Sequence, residues 1–156
     1  MIIKKETIIH SNIEKCWNVL GKNFANAHEW ASAIKHSEGS GDSFSGASCS
    51  NRKCEVKKMG HLNEKLLNYS NDTHSLKYEI IEGLPKMIKK ATNSWSLSAL
   101  DTNKSKLTME MDMNISGFLG TLMKPIMKIQ MGNMGNVFLE EFKYYVEKGK
   151  PHPRKN

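Results

Sequence analysis

Two sets of methionines with different spacings lie side by side near the C-terminus. The first methionine ladder recurs at every second residue and comprises Met109, Met111 and Met113. The second methionine ladder recurs at intervals of three and four and comprises Met123, Met127, Met131 and Met134. A period of two places side chains on one face of a strand, whereas a 3–4 spacing places them along one stripe of a helix. The pattern therefore predicts a strand and a helix whose apolar faces meet across a turn at Gly117 and Gly120.

The function of this methionine-rich surface is open at the level of sequence. Methionine is flexible and polarizable, and it suits irregular or adaptable apolar surfaces. Such a surface is either packed core or the lining of a ligand cavity. Core is the commoner outcome for a single stripe, so the cavity interpretation needs support from the rest of the chain.

The remaining elements follow from periodicity and capping signals. Residues 2–9 are rich in isoleucine and predict a first strand. Ser11 and Glu14 form a capping-box signature before a short helix that ends at Gly21. Residues 24–30 predict a second short helix, residues 32–115 alternate as six strands between turn clusters, and residues 119–147 predict a long helix. Pro125 is compatible with that helix only in its first turns.

This element order predicts an α+β fold. A sheet with one apolar face must be covered, and the long helix with its broad apolar stripe is the only element long enough to cover it. We therefore expect a curved antiparallel sheet of about seven strands that grips the C-terminal helix, with a cavity between them. Residues 1–148 form one domain in this interpretation, and residues 149–156 form a basic polar tail. Gly132 and Gly135 suggest a bend or a close backbone contact in the helix.

Composition limits the partners and the compartment. The net charge of +7 comes from dispersed cationic residues, so we predict no nucleic-acid partner and leave peripheral contact with an anionic membrane open. The three cysteines predict no disulfide framework and a cytoplasmic location. No run of about 18 apolar residues occurs, which predicts no transmembrane segment. The histidines lack ligand spacing, so no metal or other cofactor is expected. Both a monomer and a homodimer remain possible.

Several short motifs occur in an order that resembles a known superfamily. They are Ile13 to Trp17 in the first helix, Trp30 after the second, Gly46 with Arg52, Gly60 with Glu64-Lys65-Leu66, and Tyr78 with Gly83-Leu84-Pro85. Together they resemble the START-like, birch-pollen-allergen-like (SRPBCC) superfamily, and within it the polyketide cyclase/dehydrase-like proteins. The resemblance implies a helix-grip fold and an internal cavity for a hydrophobic or amphipathic small molecule.

The resemblance also singles out particular residues. In the related plant abscisic acid receptors, a glutamate of the corresponding strand and a lysine on the second strand face the pocket. Glu64 matches the glutamate, and Lys35 or His36 could match the lysine. Lys65 stands where the family usually has arginine.

Glu64 is the main chemical candidate. It alternates with Leu62 and Leu66, which places a carboxylate on the apolar side of its strand. Burying a carboxylate is costly unless it is paired. Glu64 is therefore a candidate polar anchor or general acid/base, and the alternative is a structural ion pair with Arg52 or Lys35.

Three functions follow from these observations. The leading one is binding of a lipid-like or polyketide-like molecule; the second is a cyclase or dehydratase with Glu64 as its catalytic residue. The third is an interaction module that docks its C-terminal helix or basic tail on a protein or an anionic membrane, which predicts a filled interior. The predicted ligand-binding residues are Trp30, His36, Arg52, Glu64, Tyr78, Asn93, Trp95, Met109, Met111, Met113, Met123, Met127 and Met131.

Overall fold

The computed structural model describes residues 1–156 and contains one sheet and one long helix. The strands are β1 (Ile2–Ile9), β2 (Ile34–Ser40), β3 (Asn51–Val56), β4 (Gly60–Ser70), β5 (Ser75–Glu82), β6 (Ile88–Asp101) and β7 (Lys104–Ile115). The helices are α1 (Ile13–Trp17), which continues as a wider turn over Asn18–Lys22, a 3-10 helix over Phe24–Glu29, and α2 (Phe118–Lys148). A final 3-10 turn spans Pro153–Lys155. None of the helices is both long and apolar enough to cross a bilayer.

The seven strands form a single antiparallel sheet in the order β1-β7-β6-β5-β4-β3-β2. The first and second strands of the chain are therefore its two edges, and the intervening strands follow one another as a meander. The predicted α+β helix-grip architecture is confirmed, with seven strands, short helices after β1 and a long helix at the C-terminus.

The side chains of β7 alternate as the first methionine ladder predicts. Met109, Met111 and Met113 are buried toward α2, whereas Glu110 and Asp112 are exposed on the other face. This register holds because burying the methionines removes apolar surface from water while the carboxylates keep their hydration.

Helix α2 approaches the sheet most closely near Gly135. A Cβ atom at this position would lie 2.7 Å from Cε of Met109, so only glycine allows the helix backbone to pass over that methionine without displacing it. Phe142, two turns further along, is fully buried. Gly135 therefore marks a close helix–sheet contact, which was one of the two predicted roles of the helix glycines.

Two predicted details of the helices are wrong. The side chain of Asn12, not Ser11, caps α1 by accepting a hydrogen bond from the Lys15 amide at 2.8 Å, and helical structure runs through Gly21 to Lys22. In α2, Pro125 is the eighth residue and lies within the first two turns, in agreement with the prediction. It is accommodated because the carbonyl that it leaves unpaired belongs to Thr121, which is exposed to water.

The C-terminal tail packs on the domain instead of extending from it. Lys155 Nζ donates to the carbonyls of Ala31 and Ile34 at 3.0 and 2.5 Å. Arg154 pairs with Glu140 at 2.6 Å and lies 3.6 Å from Glu141. The tail thus ties the end of α2 to the segment before β2.

Candidate functional site

A cavity of about 310 Å³ lies between the sheet, the short helices and the middle of α2, residues 127–138. It is lined by 29 residues, of which 22 are hydrophobic. Volumes from about 300 Å³ upward are typical of small-molecule sites, which are mostly apolar with a few convergent polar groups. The interior is thus not the filled core that the interaction-module hypothesis predicts.

The cavity exists because α2 diverges from the sheet toward its N-terminus. Beneath Gly135 the helix touches Met109, which is fully buried. Between positions 117 and 130, only Gly120 of the helix is buried, and it packs against Ile115 at the far end of β7. The space between these two contacts is bordered by Met111 and Met113 from β7 and by the flexible side chains of α2.

One wall of the cavity carries a buried ion pair. Arg52 on β3 and Glu64 on β4 are directly paired in the sheet, and Arg52 Nε donates to Glu64 Oε2 at 2.6 Å. The guanidinium also donates from Nη1 to the carbonyl of Phe24 at 2.8 Å and lies 4.2 Å from the centre of the Phe24 ring. Cys54 Sγ lies 3.5 Å from the same carboxylate oxygen. We define Arg52, Cys54, Glu64, Tyr78 and Asn93 as the polar cluster.

The second part of the polar cluster contains the one unsatisfied buried side-chain atom in the protein. Asn93 Nδ2 on β6 donates to the hydroxyl of Tyr78 on β5 at 3.1 Å. The other amide atom, Asn93 Oδ1, is buried and has no hydrogen-bond partner. Both residues line the cavity, so this acceptor lies within the cavity wall. Unpaired buried acceptors are uncommon in folded proteins and call for a specific explanation.

The environment of the polar cluster sets its protonation states. Burial acts to lower the pKa of Arg52, but Glu64, Tyr78 and Cys54 together outweigh it and raise the pKa above its usual range. Burial raises the pKa of Cys54 to about 12. Burial, reinforced by Glu64, also raises the pKa of Tyr78 well above its usual range. Near neutral pH, Arg52 is therefore charged, whereas the thiol and the phenol keep their protons.

Ten of the thirteen residues predicted to bind ligand line the cavity. They are Trp30, Arg52, Glu64, Tyr78, Asn93, Trp95, Met111, Met113, Met127 and Met131. Trp30 and Trp95 contact each other edge to face at 6.3 Å between ring centres.

The other three predicted residues lie elsewhere. His36 is exposed and lies 3.7 Å from Glu38, because an irregularity in β2 between Ile34 and His36 turns both Lys35 and His36 outward. Lys35 pairs with Glu55 at 3.0 Å instead of Glu64. Met109 belongs to the packed core at the close contact with α2. Met123 is half-buried one helical turn before the cavity lining begins.

Other lining residues lie outside the predicted ligand-binding set. Phe24 supports Arg52 through both its carbonyl and its ring, and Met134 extends the lining of α2 by two turns beyond Met127. Met134 is the last residue of the second methionine ladder, so the sequence pattern had already indicated it. No local pattern indicated Phe24, since its role depends on contact with a strand 28 residues away.

The structure brings no group of three or more His, Cys, Asp or Glu side chains into a metal-binding arrangement. Near the cavity, the one contact between a carboxyl and a thiol group joins Glu64, which lines the cavity, to Cys54, which does not.

Comparison with known proteins identifies the fold and the family. A START superfamily protein from Mycobacterium smegmatis superposes with a TM-score of 0.77 at 14% identity, over 96% of this chain and 99% of that chain. A protein from Thermus thermophilus gives a TM-score of 0.77 at 10% identity, over 96% and 99%. Norcoclaurine synthase from Thalictrum flavum, in complex with a transition-state analogue, gives 0.74 at 14% identity, over 96% and 95%. No curated protein sequence matches the chain.

At these identities the structural neighbours establish the fold alone. The sequence itself supplies the family, since residues 2–147 match the model of the polyketide cyclase/dehydrase and lipid transport family. The match spans every strand and nearly all of α2. The chain therefore belongs to the polyketide cyclase/dehydrase and lipid transport family, and its fold is the helix-grip fold of the START superfamily.

Proposed function

We propose that the protein binds an uncharged amphipathic small molecule whose polar end donates a hydrogen bond to the polar cluster. The observation that carries this proposal is Asn93 Oδ1, a buried acceptor without a partner in the wall of an apolar cavity. A ligand hydroxyl or amide N–H at this point would supply the missing hydrogen bond and recover the cost of leaving the acceptor unpaired.

The charges of the cavity wall support an uncharged ligand. Arg52 and Glu64 neutralise each other at 2.6 Å, so the cluster offers no net charge to pair with an ionised group. Both hydrogen bonds that the protein gives to Glu64 reach Oε2, which leaves Oε1 as a second acceptor toward the cavity. The ligand end is thus expected to carry donors, while its apolar body lies among Trp30, Trp95 and the methionines.

The same geometry favours binding over acid–base catalysis. A general base must be free to accept a proton at the operating pH and needs a matching proton carrier. Glu64 is held by Arg52, and the raised pKa values of Cys54 and Tyr78 keep both groups protonated near neutral pH. A cyclase or dehydratase reaction through Glu64 would have to break the ion pair first. Binding is therefore the function that the geometry supports best.

The donor requirement is tested with a pair of ligands that differ in their capacity to donate. Displacement of Nile red by 1-decanol and by decyl methyl ether compares an alcohol with an ether of similar shape. We expect the alcohol to bind about tenfold more tightly, since an unpaired buried acceptor costs about 1–3 kcal/mol. Asn93→Leu keeps the branched shape and removes this acceptor, so it should markedly reduce the preference for the alcohol.

Tyr78→Phe is the matched control for that experiment. It removes the group that accepts from Asn93 Nδ2 but leaves Oδ1 in place. The preference for the alcohol should persist in this variant. Equal affinity of the parent protein for both ligands would remove the support for Asn93 as the anchor, and absence of any Nile red binding would contradict the binding function itself.

The cavity also predicts where the chain tolerates added bulk. Met127→Trp places a larger side chain in the cavity, so it should leave stability nearly unchanged and reduce Nile red binding. Met109→Trp makes the same substitution at the fully buried position beneath Gly135, where overpacking costs typically about 1–3 kcal/mol or more. Urea denaturation and dye titration of both variants provide the comparison. Equal destabilisation of the two variants would show that Met127 is packed core.

A further inference from the structure

The first half of α2 exposes an apolar face that a water-soluble helix would normally make polar. We define the outer stripe as the residues of this half that share the face turned away from the sheet, namely Phe118, Leu119, Leu122, Ile126 and Ile129. Their exposed fractions are 88%, 60%, 65%, 49% and 65%, which include the highest value of any large hydrophobic residue in the protein. Contiguous exposed apolar patches mark interaction sites.

The second half of the same helix shows that the exposure is local. Asn133, Asn136 and Glu140 continue the face of the outer stripe at helical spacing, and all three are polar and exposed. The first half is thus apolar on two sides, with Met127 and Met131 toward the cavity and the outer stripe toward solvent. The cavity accounts for the inner side, and nothing in the proposed function uses the outer one.

The charges around the outer stripe are of one sign. Lys124 and Lys128 are the two charged residues in this half of α2, and no aspartate or glutamate occurs between Asp112 and Glu140. The turn before β6 lies against the start of the helix, where the Met87 carbonyl accepts from the Ser116 amide at 3.0 Å. This turn adds the exposed Lys86, and the first residues of β6 add the exposed Lys89. Hydrophobic side chains beside a lysine flank are typical of helices that lie in the interface of an anionic bilayer.

We infer that the outer stripe docks the protein on the surface of an anionic phospholipid bilayer. The apolar side chains enter the interface, and Lys124, Lys128, Lys86 and Lys89 contact the headgroups. A second copy of the chain fits this surface poorly, because a two-fold contact would bring the same lysines together with no carboxylate in the segment to pair with them. The inference goes beyond the proposed function and does not require an occupied cavity. Docking would nevertheless place the bilayer beside the wall formed by Met127 and Met131.

Vesicle co-sedimentation tests this inference. The purified protein should bind vesicles of phosphatidylcholine with about one third phosphatidylglycerol, bind pure phosphatidylcholine much less, and dissociate from the anionic vesicles at high salt. Leu122→Glu should lower the partition coefficient about tenfold or more, because it replaces an inserted apolar group with a charge repelled by the lipid. Leu100→Glu is the matched control, since Leu100 is 51% exposed at the opposite end of β6 and should have little effect.

The lysines are tested separately from the apolar stripe. Lys124→Gln with Lys128→Gln should weaken binding about tenfold or more at low salt. Lys148→Gln with Lys150→Gln removes two exposed charges at the other end of α2 and should weaken it far less. If circular dichroism shows that Leu122→Glu is unfolded, Leu122→Ser replaces it in the test, since it adds no charge. Leu122→Ser should also bind the vesicles less than the parent protein does.

Three results would overturn the inference. The first is no binding of the parent protein to the anionic vesicles at low salt. The second is binding that neither Leu122 variant reduces, which would assign the attraction to another basic surface. The third is a parent dimer in sedimentation velocity that Leu122→Ser converts to a monomer, which would make a second copy the occupant of the outer stripe. Loss of dye binding in the cavity would leave this inference intact, so its failure is distinguishable from that of the proposed function.

Discussion

Replacing Arg52 with methionine is expected to destabilise the protein by about 3–5 kcal/mol, because it leaves the buried carboxylate of Glu64 without its partner. Both side chains are less than a tenth exposed, and the Nε–Oε2 distance is 2.6 Å. Arg52 also donates to the carbonyl of Phe24, which would lose its partner in the same variant. The free energy of unfolding from urea denaturation measures the effect.

The double variant Arg52→Met with Glu64→Leu separates the ion pair from the packing around it. Replacing a buried pair with apolar side chains of similar size is often neutral or stabilising, so this variant should regain most of the lost stability. Lys35→Met provides the comparison at the surface, where Lys35 and Glu55 form an exposed pair at 3.0 Å, and it should cost at most about 1 kcal/mol. If the double variant is as unstable as Arg52→Met alone, the unpaired charge of Glu64 is not the cause of the destabilisation.

Glu141→Ala is expected to have the second large effect, a loss of about 3 kcal/mol or more. The Glu141 side chain is fully buried in α2 and accepts hydrogen bonds from the backbone amide and the hydroxyl of Ser32, at 2.9 and 2.5 Å. Its removal leaves both donors of the half-buried Ser32 without their partner, and an unpaired donor that water cannot reach costs about 1–3 kcal/mol. It also removes a carboxylate 3.6 Å from Arg154 and so loosens the docked tail.

The neighbouring residue supplies the control for Glu141. Glu140 has the same charge and pairs with Arg154 at 2.6 Å, but its side chain is 56% exposed. Glu140→Ala should cost less than about 1 kcal/mol, since exposed ion pairs contribute little. The free energies of unfolding of both variants, from thermal or urea denaturation, provide the comparison. A similar loss of stability in the two variants would mean that the negative charge, and not the hydrogen bonds to Ser32, stabilises this end of the helix.

Most of the fold was predictable because its signals are local. The first methionine ladder repeats with the two-residue period of a strand, and the second with the period of a helix. The alternation of Leu62, Glu64 and Leu66 placed the carboxylate on the inner face of β4, where the structure has it at 6% exposure. Periodicity of this kind depends only on backbone geometry, so a single sequence reveals it.

The site was predictable only in part. His36 was expected to line the cavity because of the family resemblance, but an irregularity in β2 turns it to solvent. Met109 and Met111 are equivalent in the sequence pattern, yet one lies in packed core and the other lines the cavity. The difference depends on the distance between helix and sheet, which no local pattern records.

The sequence by itself determined which side chains face inward, because each strand and helix must bury its apolar side and the period of the pattern marks that side. The tertiary structure alone decided whether the inward side chains meet as core or surround a space. It set α2 against Met109 at Gly135 and away from Met113 nearer the helix start. It also decided that Arg52, not Lys35, pairs with Glu64, and that Asn93 Oδ1 has no partner. These outcomes depend on distances between elements far apart in the chain, which only packing of the whole domain fixes.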